Sequence, residues 1–174
     1  MSLSGKSVAV LAAEDYQVLE VWYPLLRLTE EGAEVKVVGV KGGPKTVNSK
    51  DGYPCDVDVS ADEASAADFD AVVIPGGWAP DYLRRCDRTV QFVKDMDAGG
   101  KVVAAICHGG WMLASAEIVQ GRRATCFYAI RDDLAHAGAD YVDQEVAVDD
   151  HIITSRKPED LPAFCRAIIQ ALRG

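Results

Sequence analysis

The chain has 174 residues, of which 49% are apolar and 26% charged, and a formal net charge of -9. That balance suits a folded globular protein rather than a disordered or fibrous one, and the length suits one core, so a single domain over residues 1–174 is expected. Lys and Arg are scattered without a basic stripe, so nucleic acid is not an expected partner. The longest apolar runs, Ala71 to Ile74 and Val102 to Ile106, fall far short of the roughly 20 residues that cross a bilayer.

In chain order, Met1 to Lys6 leads straight into an apolar run, with no basic segment, long apolar stretch or cleavage site. A cytoplasmic location is therefore expected. Short β-branched runs bounded by turn residues predict strands at Ser7 to Leu11, Val35 to Val40, Ala71 to Ile74, Val102 to Ile106 and His151 to Thr154, each apolar enough to be buried on both faces. Helical spacing links Val18, Val21, Trp22, Leu25, Leu26 and Leu28, then Val90, Phe92, Val93 and Met96, and finally Leu161, Phe164, Cys165, Ile168, Ile169 and Leu172. Gly32 and Gly99-Gly100 mark helix stops, and Pro158 and Pro162 mark the opening of the last helix. The segment from Lys41 to Ser60, with turn signals at Gly42-Gly43-Pro44 and Asp51-Gly52, predicts a small hairpin excursion. Strands alternating with helices imply right-handed βαβ units, hence an α/β sandwich around a mostly parallel sheet with helices on both faces.

The five cysteines, Cys55, Cys86, Cys107, Cys126 and Cys165, are odd in number and contain no C-x-x-C pair, which argues against a disulfide framework and a zinc knuckle. Cys126 and Cys165 read as small buried hydrophobes. Cys107 reads differently because Ala105-Ile106-Cys107-His108-Gly109-Gly110 joins a strand directly to a helical pattern. Ligands of open α/β sheets settle beyond the carboxyl ends of the strands, so a nucleophile on that turn stands at the site. Unpaired N–H groups at the helix start are expected to acidify its thiol. The N–H of His108 is one candidate donor for an oxyanion, and Gly77, in the turn Pro75-Gly76-Gly77 after the third strand, is the candidate for the second.

Three acids, Glu14, Asp15 and Glu20, follow the first strand. Glu14 and Asp15 read as helix-dipole partners. Glu20, beside the apolar positions of the helix, reads as a partly buried carboxyl that holds its proton. His136 and His151 have no second ligand at a suitable spacing, and neither a metal nor a cofactor is expected. Tyr16, Trp22, Trp78 and Trp111 flank the motif loops, each read singly as packing and together as pocket walls or subunit contacts.

These segments, in order over nearly the whole chain, resemble the ThiJ/PfpI superfamily and more narrowly its PfpI-type branch of intracellular cysteine peptidases, general stress proteins and protein deglycases. The resemblance rests on Glu20-Val21-Trp22-Tyr23-Pro24, Val73-Ile74-Pro75-Gly76-Gly77-Trp78-Ala79-Pro80-Asp81, Ala105-Ile106-Cys107-His108-Gly109, Ile130-Arg131-Asp132-Asp133 and Val148 to Arg156. It implies a flavodoxin-like three-layer sandwich of the class I glutamine-amidotransferase type. It also implies that Cys107 is the nucleophile, hydrogen-bonded to a protonated Glu20, with Gly77 and His108 supplying the oxyanion hole through their backbone. In that branch the histidine after the cysteine is oriented by an acid of a neighbouring subunit, a position held here by Asp81, one methylene shorter than the usual Glu. A homo-oligomer with a shared site follows from that mapping.

Three functions use these residues: an enzyme acting on small carbonyls such as methylglyoxal or their protein adducts (glyoxalase or deglycase), a cysteine peptidase or amidase with Cys107, His108 and Asp81, and a redox sensor or chaperone built on Cys107. A compact chain has little loop length for a peptide groove, which favours the small-carbonyl enzyme. A glutamine amidotransferase ranks low, because neither His136-Ala137-Gly138 nor His151-Ile152-Ile153 forms the His-x-Glu that class pairs with its cysteine.

Overall fold

The computed structural model describes residues 2–174. Its strands are β1 (Ser7–Leu11), β2 (Glu34–Gly39), β3 (Thr46–Asn48), β4 (Pro54–Asp56), β5 (Val59–Ser60), β6 (Ala71–Ile74), β7 (Val102–Ile106), β8 (Arg123–Ala124), β9 (Asp140–Tyr141), β10 (Val146–Asp149) and β11 (Ile152–Ser155). The helices are α1 (Val18–Glu30), α2 (Ala79–Leu83), α3 (Asp87–Ala98), α4 (Gly110–Ser115), α5 (Arg131–His136) and α6 (Leu161–Arg173).

Seven strands form the central sheet in the order β10-β11-β7-β6-β1-β2-β5. All neighbours run parallel except β10 and β11, which pair antiparallel at the edge. The central strands are sealed as their continuous apolar runs require: Val8 to Leu11, Ala71 to Ile74 and Val103 to Ile106 are almost wholly shut from water. Helices α1 and α6 pack together over β1, β2, β7 and β11, while α3 and α4 pack together against β6 and β7, which makes the three layers. The apolar stripe of α6 is buried at Leu161, Phe164, Cys165, Ile168, Ile169 and Leu172. Burying each such side chain contributes roughly 1.5–3 kcal/mol. No helix among the described residues is long and apolar enough to cross a membrane.

The hairpin expected between Lys41 and Ser60 is β3 paired antiparallel with β4, standing apart from the main sheet. The stripe of α1 departs from expectation at Leu26, which is exposed together with Leu19 and Tyr23 along one side of the helix. The opening of α1 also differs from the sequence reading. Gln17 is its N-cap, accepting the N–H groups of Leu19 at 2.7 Å and Glu20 at 3.2 Å. Glu14 and Asp15 lie ahead of the cap and tie loops instead: Glu14 accepts the Asn48 N–H at 3.1 Å and Asp15 accepts the Tyr82 hydroxyl at 3.1 Å.

Candidate active site

The site lies beyond the carboxyl ends of β1, β6 and β7, where α/β sheets place their ligands. β7 ends at Ile106, and Cys107 turns the chain sharply into α4 through a left-handed backbone with φ of 60°. That conformation costs an L-residue on the order of 1–3 kcal/mol, and it presents the sulfur at the sheet edge in the manner of a nucleophile elbow. The expected turn is therefore present, and its strain is concentrated on Cys107.

Glu20 is fully buried and comes from the first turn of α1. Its Oε2 accepts the Gly76 N–H at 2.7 Å, while Oε1 has no hydrogen bond of good geometry. Only glycine fits at position 76: a Cβ there would sit 2.7 Å from both Cys107 Cβ and Glu20 Oε2 and 2.8 Å from the His108 nitrogen. Gly77 is constrained twice, by a φ of 69° and by a Cβ position 2.5 Å from the Asp15 carbonyl oxygen. The loop after β6 is thus pressed against the elbow on one side and against the loop after β1 on the other.

Burial pushes the Glu20 carboxyl up to about 7, against the pull of hydrogen bonds from Gly76 and Cys107. The Cys107 thiol is pushed well above its ordinary range, first by burial and then by the Glu20 charge, while the N–H groups of His108 and Gly77 pull it down. The acidified thiol expected from the helix start is corrected accordingly. The backbone donors act as foreseen, but a buried site with an ionised neighbour outweighs them. Sulfur can carry charge here when Glu20 holds the proton, and both N–H groups already point at it.

His108 sits with Nδ1 3.3 Å from the Cys107 sulfur. Aromatic rings surround its imidazole, with centroids at 5.1 Å for Trp111, 5.1 Å for Phe127 and 5.7 Å for Trp78. Burial lowers its pKa and the Asp133 charge opposes this, so the ring is available as a neutral base. Asp133 also accepts the Trp111 indole N–H at 3.2 Å. This acid was only part of a quoted motif in the sequence; its neighbourhood to His108 arises from α4 packing on α5. Asp81 lies on α2, is partly exposed, and pairs with Arg85, just past the end of that helix, rather than with His108.

Cys107, Glu20, Gly77 and His108 line one cleft of about 230 Å³ with Trp78, Phe127 and Lys50. Trp78 is thus a wall of the site, and Trp111 stands behind His108. Tyr16 and Trp22 are packing residues: the Tyr16 hydroxyl donates to the Tyr53 carbonyl at 2.7 Å and accepts the Trp22 indole N–H at 3.2 Å. A larger recess of about 450 Å³ beside Ser65, Asp95 and Lys101 has no thiol or imidazole in its lining. Cys126 and Cys165 are buried as expected. His136 ends α5 on the surface, and His151 precedes β11 between Asp97 at 2.8 Å and Asp150 at 3.0 Å.

An elbow cysteine beside a buried glutamate, with glycines that touch both, matches a known pattern over almost the whole chain. Residues 6–171 match the DJ-1/PfpI family. The chain belongs to that family. It is 43% identical over 170 residues to protein/nucleic acid deglycase 2 of Escherichia coli, covering 97% of this chain and 98% of that protein. It is 44% identical over 170 residues to general stress protein 18 of Bacillus subtilis, again covering 97% of this chain and 98% of that protein. Among solved structures, a two-domain protein of Anabaena variabilis containing DJ-1/ThiJ/PfpI-like and ferritin-like domains superposes with a TM-score of 0.93 at 42% identity, over 96% of this chain and 48% of that one. The flavodoxin-like sandwich expected from the sequence is the fold of this family.

Proposed function

We propose that the protein is a cysteine-dependent enzyme that acts on small α-oxo aldehydes or on the adducts they leave on protein thiols and amines. The observation that carries this reading is the convergence of Cys107, Glu20 and His108 on a cleft of only about 230 Å³, below the size of ordinary drug-sized pockets. A small electrophile fits such a space better than an extended peptide does. The name of the Escherichia coli relative, a deglycase, agrees with it.

In this reading Glu20 takes the thiol proton, and the Cys107 thiolate adds to the aldehyde carbon of methylglyoxal. The new oxyanion is received by the N–H groups of Gly77 and His108, which leave the sulfur as its charge moves to oxygen. His108 carries the proton from the former aldehyde carbon to the neighbouring carbonyl carbon, the first oxyanion becomes the thioester carbonyl and Glu20 returns its proton to the second oxygen, leaving a lactate thioester. Water then breaks the carbon–sulfur bond, releasing lactate and the thiol. On an adduct, whose former aldehyde carbon carries a hydroxyl and the protein amine or thiol, the Cys107 thiolate displaces that amine or thiol, which leaves with the proton that Glu20 took from the thiol, and the resulting hemithioacetal follows the same path.

Self-association belongs to the proposal. Leu19, Tyr23 and Leu26 lie exposed along one side of α1, and Asp81 on α2 is free to turn from Arg85 towards a second copy. A second subunit that brings its own Asp81 to His108 would orient the imidazole as the sequence mapping implies. The deciding assay gives the wild-type protein methylglyoxal and a fluorogenic peptide side by side. Lactate without peptide cleavage is expected; peptide cleavage lost in Cys107→Ser would establish the peptidase instead.

A further inference from the structure

Taking Cys107 as the nucleophile, we infer that Lys50 forms an anion subsite of the cleft, and that the preferred substrate carries a carboxylate or phosphate close to its electrophilic carbon. Lys50 lines the same cavity as Cys107, Glu20 and His108. Among the described residues Lys50 pairs with no carboxylate, as Lys41, Lys45, Lys101 and Lys157 also do not, but of these lysines Lys50 is the one in the lining of this cleft. Its charge is felt within the cleft, where it lowers the pKa of both Glu20 and His108.

The backbone around Lys50 is held firmly. Its N–H donates to the Tyr16 carbonyl at 3.1 Å, and the Asp15 N–H donates to the Asn48 carbonyl at 2.8 Å, so the β3–β4 turn is laced to the loop after β1. The buried Ser49 hydroxyl accepts the N–H groups of Asp51 at 3.2 Å and Tyr53 at 2.9 Å, closing the turn. The Tyr16 hydroxyl clamps the far side through the Tyr53 carbonyl. The hairpin that leaves the main sheet therefore delivers one cation to the mouth of the nucleophile's cleft.

The facing groups define what the cation can select. Trp78, Phe127 and Pro158 offer apolar wall, and Glu20 is the carboxyl in the lining, turned inward to Gly76. Glu159 acts on Glu20 from outside the cleft. A neutral electrophile leaves the ammonium with water alone, whereas an anionic one meets it beside a partly apolar wall, where charge attraction is less screened than in open water.

Alkylation of Cys107 by iodoacetate and by iodoacetamide tests this without any turnover. The two reagents differ in one charge; in both the carbon–sulfur bond forms, iodide leaves and the thiol proton passes to solvent. Rates are followed at the Cys107 peptide by mass spectrometry, because Cys86 is also partly accessible. In the wild type the iodoacetate/iodoacetamide rate ratio should exceed that of the urea-unfolded chain by about tenfold, the effect of one favourable charged contact. Lys50→Met should return the ratio to the unfolded value, and Lys50→Arg should keep it high. A wild-type ratio equal to that of the unfolded chain, or one that Lys50→Met leaves unchanged, would overturn the subsite. Loss of methylglyoxal turnover with the ratio intact would sink the proposed reaction and leave the subsite standing.

Discussion

The Glu20 carboxyl and the Cys107 thiol occupy one buried corner in which the charge of Glu20 raises the pKa of the thiol and a hydrogen bond from the thiol lowers that of the carboxyl. One negative charge is accommodated there at a time. With the proton on sulfur the charge sits on Glu20 beside the Gly76 N–H; with the proton on Glu20 it sits on sulfur beside the N–H groups of Gly77 and His108. The exchange of one proton thus moves the charge between carboxylate and sulfur.

Glu20→Gln separates the two consequences of that exchange. The amide cannot ionise, so the coulombic penalty on the thiolate disappears and the alkylation profile of Cys107 should move to lower pH. It also cannot take the thiol proton, so methylglyoxal turnover should fall by about 10²–10⁴-fold, the scale of a lost proton-transfer group. A variant that lost turnover without a shift in the alkylation profile would contradict the coupling.

Glu20 also makes stability depend on pH. Its folded pKa of about 7 lies above the ordinary 4.5, so the folded chain binds the extra proton between those values. The stabilisation is full below about 4.5 and is lost as pH rises through about 7, worth on the order of 2–3 kcal/mol for a shift of this size. Urea unfolding at pH 5 and pH 8 should show that loss in the wild type and a much smaller one in Glu20→Gln.

Gly76→Ala tests the packing that brings the two groups together. An added Cβ would press within 2.8 Å of the His108 nitrogen and nearer still to Cys107 and Glu20; the Glu20 tip could shift, but the His108 backbone and the Cys107 Cβ cannot readily yield. Destabilisation of about 1–3 kcal/mol is expected, together with loss of turnover beyond what partial unfolding explains. Full turnover in a folded variant would show that the close approach is unnecessary.

Asp81→Asn tests the proposed sharing of the site between subunits. Its ion pair with Arg85 is exposed, and such pairs contribute little, so thermal stability should hardly change. Turnover should drop, and in the wild type specific activity should fall on dilution as the oligomer dissociates. Sedimentation of a monomer that is fully active would sink the intersubunit role.

Much of this was legible in the sequence because it is local. The runs at Ala71 to Ile74 and Val102 to Ile106 could bury only as central strands, and the step from Ile106 through Cys107 into Gly109-Gly110 could only be a sharp turn. The stripe ending at Leu172 packs as its spacing requires. What was not legible depends on distant groups. The two-residue strands β5, β8 and β9 have no pattern of their own, and Leu26 carries the right spacing yet faces outward. The thiol's raised pKa comes from burial and from Glu20, 87 positions away by subtraction of 20 from 107, which helix-end reasoning omits. Lys50 reaches the cleft only because Tyr16, Asn48 and Ser49 fold its turn back over the first loop.

The most direct test of the account is lactate formation from methylglyoxal by the wild type, Cys107→Ser and Glu20→Gln, each first shown to be folded. The account predicts turnover by the wild type, none above background with Cys107→Ser, and a residual rate with Glu20→Gln. Lactate formed at the wild-type rate by folded Cys107→Ser would contradict it, because among the described residues no other thiol lines the cleft.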